Sequence, residues 1–178
     1  MTETSDELEE LLARRAAALA EPRALTALAH AQPTVVVTAG RERFALEAAA
    51  VREVFSARRA TPLPWAPPHV AGLIARNGRV LPAFHLHAVL GLPLVSLPEY
   101  GRALVLGDGA HALALLVEHV DVATDLARGD LQPLPPSTSA ALRAVAVGVA
   151  PSGVVVLDVA RLLASPSLVV DIALPRTS

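Results

Sequence analysis

Apolar and polar positions along this chain alternate in short blocks, and the sharpest boundary lies near the middle. Val70 to Ala75 is an apolar run, Arg76-Asn77-Gly78-Arg79 interrupts it, and a second apolar run continues to Phe84. Asn-Gly between apolar segments predicts a hairpin, because both residues tolerate the positive φ that a two-residue type I′ turn demands. His85 to Gly91 then reads as a short helical turn, with Gly91 as a left-handed cap and Pro93 as a stop.

The flanking blocks have the same character. Thr34 to Thr38, β-branched throughout, predicts a strand, and Gly40-Arg41-Glu42 turns it back into Arg43 to Leu46. Ala48 to Val54 is a short helical or extended piece. Thr61 to Pro68 carries four prolines, each fixing its own φ, and predicts a rigid extended connection. A second hairpin is expected from Arg102 to Leu106 and His111 to Val117, joined by Gly107-Asp108-Gly109. After a Pro- and Ser-rich loop from Asp130 to Ser139, a third is expected from Ala144 to Val149 and Val154 to Leu157. Leu157 to Leu163 turns helical and stops near Pro166, and Leu168 to Ile172 reads as a last strand. Three hairpins with helices at the margins predict an all-β barrel or a pair of barrels.

The start of the chain reads as a longer, amphipathic helix. Leu8, Leu11, Leu12, Ala16 and Leu19 form one stripe between Thr4 and Ala20, and Thr4 and Glu7 have capping-box spacing. Acidic residues crowd its first turns, Arg14 and Arg15 follow, and Pro22 ends it. The stripe suits docking on its own domain or self-association through residues 4–20.

Composition narrows the function. Hydrophobic residues make up 53% of 178, but aromatics only 3%, so packing rests on aliphatic side chains. The net charge of −2 gives no footprint for a polyanion. Cysteine is absent, which removes disulfides and thiol chemistry, and lysine is absent, which removes a phosphate-loop lysine. No G-x-S-x-G elbow occurs. An enzyme is not expected, nor a cofactor, and the lack of a signal pattern or an uncharged spanning run predicts a soluble cytoplasmic protein.

Two groups of polar residues stand out. His85 and His87 would share one face of an extended segment, but a zinc site needs a third ligand, for which His111, His119, Glu118 and Asp121 are candidates. Arg76 and Arg79 bracket the predicted turn as its closing pair. Like charges opposite each other cost about 0.2–1 kcal/mol unless an anion lies between them, and a partner's carboxylate would fit two guanidinium forks.

The central stretch resembles the CheW-like family of bacterial chemosensory adaptors. Gly72, Gly78, Pro82, Leu86, Leu90 and Gly91 fall in step with its pattern, while Ala75, Asn77 and His85 stand where Asn, Arg and Asp are usual. Val51-Arg52-Glu53-Val54, the proline link, Glu118 in an Asp position, and Leu157-Asp158 followed by Leu162-Leu163 extend the likeness over roughly residues 33–172. The resemblance implies a mainly β fold of two small five-stranded SH3-like barrels sharing a hydrophobic core. Residues 1–32 would be an N-terminal helical extension and 173–178 a tail. It implies a non-catalytic adaptor that binds the regulatory domain of a CheA-type histidine kinase, the cytoplasmic tip of a chemoreceptor, or both, at receptor arrays. Arg76, Asn77, Gly78, Arg79, Glu53, Val51 and Val54 would face partners, although Val51 and Val54 also suit a core. With Asn77 in the Arg position, the usual receptor contact is in question, and a divergent member engaging one partner is expected. The alternatives are a His-based metal-binding or hydrolytic barrel, and a self-assembling structural protein using the N-terminal helix.

Overall fold

The β-branched run near Thr34 forms the middle of strand β1 (Ala31–Ala39), and Gly40, at φ +69°, starts the turn into β2 (Glu42–Glu47). The computed structural model describes residues 31–57, 60–93, 101–127 and 130–169. The helix expected over residues 4–20, the tail, and most of the last expected strand lie outside these.

A 3₁₀ turn, Ala48–Ala50, leads into β3 (Val51–Ala57). The central hairpin is β4 (Val70–Arg76) and β5 (Arg79–His85), followed by the short helix α1 (Leu86–Val89). Asn77 and Gly78 have φ of +49° and +72°, as the two-residue turn requires, and Gly91 takes a left-handed φ of +67°. Next come β6 (Gly101–Leu106), β7 (Leu113–Val117) and β8 (His119–Ala127). The chain closes with α2 (Ala140–Val145), β9 (Ala146–Val149), β10 (Val155–Leu157) and α3 (Val159–Leu163).

The strands form two five-stranded sheets, in the orders β8-β1-β2-β10-β9 and β3-β6-β7-β5-β4. Each sheet joins hairpins through one parallel pair: β10 with β2, and β5 with β7. The two sheets share one core. Val37, Phe44 and Leu46 from the first pack in the same cluster as Phe84, Leu104 and Leu115 from the second, with Leu86, Leu142 and Leu162 of the three helices. Ser139 ties the helices together, accepting from the Leu142 amide at the start of α2 and donating to the Leu90 carbonyl just after α1.

Several elements differ from expectation. Ala144 and Val145 belong to α2, not to a strand, because Ser139 caps the preceding turn and Leu142 and Val145 supply a buried face. The strand after the second hairpin loop starts at Leu113, since Gly109–His111 forms a 3₁₀ turn. Leu168, expected in a last strand, closes the 3₁₀ turn Pro166–Leu168, which Ser165 caps. The residues after Glu118 extend into β8, which pairs antiparallel with β1. The proline-rich connection is pinned where Thr61 exchanges two backbone hydrogen bonds of 2.8 Å with Leu73.

Candidate functional site

The residues singled out in the sequence gather at one end of the second sheet. Strands β3 and β4 are its two edges. Side chains bridge them where backbone hydrogen bonds do not. Arg76, the last residue of β4, reaches Glu53 of β3 with Nε 2.7 Å from Oε1, while its Nη2 donates to the same oxygen. Its guanidinium also lies over the Phe55 ring, 4.7 Å from the centroid. Asn77 completes the group, its side-chain amide donating to the other Glu53 oxygen at 3.3 Å.

The anion expected between Arg76 and Arg79 is therefore, for Arg76, the chain's own Glu53. Arg79, opposite Arg76 in the β4–β5 pair, donates instead to the Gly109 carbonyl in the β6–β7 loop. Beside it, Arg52 pairs with Asp108 of the same loop. Arg76 and Asn77 were expected on opposite faces, one residue apart. They converge on one carboxylate because Asn77 sits in the turn, where positive φ replaces strand alternation. Together these residues border a cleft of about 240 Å³ between the hairpin tip, the start of β3 and the β6–β7 loop. Leu81, Val105 and Ala112, all buried, line it with apolar surface.

The two valines of the V-x-E-V motif separate. Val51 is half-buried and packs against the shared core, whereas Val54 is 41% exposed. The core reading of Val54 is corrected for a simple reason: residues three apart in a strand point to opposite faces.

His85 and His87 do come together, their ring centroids 5.6 Å apart at the β5–α1 corner. No group of three His, Cys, Asp or Glu side chains converges to hold a metal ion among the described residues. Asp121, one of the candidate third ligands, instead meets Arg43 at 3.3 Å. His69 stacks on Phe84, with ring centroids 6.4 Å apart. His69 Nε2, His85 Nδ1 and His87 Nε2 are all buried and make no hydrogen bond among the described residues.

Burial holds both paired histidines below the ordinary value of 6.5, and for His85 the neighbouring His87 adds to the effect. For His87 the Glu118 carboxylate opposes it, and that carboxylate also accepts from the Gly40 amide at 3.0 Å. The unfolded chain then takes up protons before the folded one does. Stability should be flat above about pH 6.5 and fall as the pH drops below it, until the folded histidines themselves protonate. Urea midpoints between pH 7.5 and 5.5 should show this fall, and His87→Leu should flatten it. An unchanged slope in that variant would remove His87 from the account.

The CheW-like domain family model matches residues 33–167 of this chain. A protein described as chemotaxis protein CheW, from Rhizobium meliloti (strain 1021), is 32% identical over 111 residues, covering 62% of this chain and 71% of that protein. Among solved structures, the scaffolding protein TtCheW from Thermoanaerobacter tengcongensis superposes with a TM-score of 0.61. The superposition spans 71% of this chain and 88% of that one at 20% identity, a likeness of fold.

Proposed function

The chain belongs to the CheW-like domain family, and from that premise we propose that it is a non-catalytic adaptor coupling chemoreceptors to a CheA-type histidine kinase. It acts by geometry, holding the kinase where receptor state biases its activity. The observation that carries this reading is the hairpin tip. Its polar side chains pair with one another and with backbone, an arrangement that shapes a surface. Among the described residues, no helix is long and apolar enough to cross a membrane.

Arg76, Asn77, Gly78, Arg79 and Glu53 form the polar part of the partner-facing surface, and Val54 supplies an exposed apolar contact on the same strand as Glu53. Val51 supports that strand from within. The family's usual arginine is replaced by Asn77, and Arg76 takes the ionic role by pairing with Glu53. This exchange favours a divergent member that engages one of the two partners strongly.

Binding of the purified protein to a kinase regulatory domain and to a chemoreceptor cytoplasmic fragment, measured separately by calorimetry, tests the proposal. One of the two should bind, and Arg76→Ala should weaken that binding by about tenfold, the cost of leaving Glu53 without its cation. Binding to neither overturns the adaptor reading. Equal, strong binding to both overturns the single-partner version.

A further inference from the structure

The cleft at the hairpin tip holds three guanidinium groups and two carboxylates. Arg76 is matched by Glu53 and Arg52 by Asp108. Among the described residues Arg79 has a neutral partner, the Gly109 carbonyl, and it is exposed. We propose that Arg79 is the anchor for one carboxylate side chain of a partner protein, whose methylene groups pack on the apolar lining of the cleft. The proposal rests on the adaptor reading and adds the chemistry of what the site receives.

Size and charge both select this occupant. About 240 Å³ lies below the roughly 300–1,000 Å³ of sites that enclose whole small molecules, and suits a side chain. A singly charged carboxylate neutralises Arg79, the one cation of the cleft without a carboxylate among the described residues. A doubly charged phosphate would leave excess negative charge beside Glu53 and Asp108. Leu81, Val105 and Ala112 offer nothing to a hydrated inorganic ion but pack well against methylenes. The guanidinium fork fixes the carboxylate's orientation, and its tie to Gly109 holds the fork across the cleft before a partner arrives.

The test uses the full chain and two capped amino acids, N-acetyl-glutamate amide and its neutral isostere N-acetyl-glutamine amide, at constant ionic strength. Nuclear magnetic resonance follows the Arg79 side-chain N–H, the Asn77 side-chain amide and the Gly109 amide. Saturable millimolar shifts with the glutamate probe, absent with the glutamine probe and lost in Arg79→Gln, support the proposal. Equal response to both probes, or an undiminished response in Arg79→Gln, overturns it.

A second arm measures Arg79→Gln against whichever of the kinase domain and the receptor fragment binds the parent. A loss of about tenfold, shrinking as salt rises, is expected. Unchanged affinity overturns the anchor while leaving the adaptor function standing. If neither domain binds the parent chain, the adaptor reading fails, and the capped amino acids alone decide for or against the carboxylate site.

Discussion

Gly72→Ala should cost more than about 4 kcal/mol, enough to leave little folded protein. Gly72 sits at a register shift in the β4–β5 pair, with φ of +127°. A Cβ there would lie 2.0 Å from the Thr61 carbonyl oxygen and 2.6 Å from its carbon. The obstacle is backbone, and it is held from both sides. Thr61 is bonded twice to Leu73, and Pro62 restricts the chain that follows. Neither the sheet edge nor the connection can yield without breaking these bonds. Gly40→Ala is the control, because Gly40 has a positive φ of +69° but nothing within 4 Å of its Cβ position. That variant should lose only about 1–2 kcal/mol, the cost of the left-handed backbone. Urea unfolding followed by circular dichroism separates the two. Equal losses would mean that the close approach of Thr61 does not decide the matter.

Phe84→Ala should cost about 3–5 kcal/mol and weaken both sheets together. Aromatic residues are 3% of the chain, and Phe44 and Phe84 are fully buried in the same cluster. The surrounding aliphatic side chains branch from strands of two sheets and cannot collapse into the space without shifting one sheet on the other. Phe84 lies in the second sheet. Even so, amide exchange protection at Leu46 in the first should fall as far as at Leu104 in the second. Loss confined to the second sheet would show that the two halves unfold separately, contrary to a single shared core.

The parts of this fold legible from sequence are those whose signals are local. Asn77-Gly78 between apolar runs specifies both turn type and register, so the hairpin stands where it was expected. The β7–β8 corner has no Gly or Pro to mark it, since a single residue, Glu118, separates the strands. Its signal is masked by a continuous mixed run. Helix α2 was hidden because Ala144 and Val145 read equally well as a strand. The capping serine at 139 was the available clue. The Glu53–Arg76 pair joins residues 23 apart on opposite sheet edges, and no spacing rule predicts such a contact. Val54 was misplaced because a hydrophobic pair three apart suits a helix face but divides across a strand.

The strand order has a consequence for how this protein is made. β1 and β2 are made before their outer partners, β8, starting at His119, and β10, starting at Val155. Until β8 is made the first hairpin presents two unpaired edges and an apolar face, and the β2 edge stays open until β10 follows, more than about a hundred residues after β2. Translation at about 5–20 residues per second stretches the longer interval to roughly 5–20 seconds. The nascent chain should therefore engage holding chaperones throughout that interval, and slowing translation after residue 47 should lower its soluble yield.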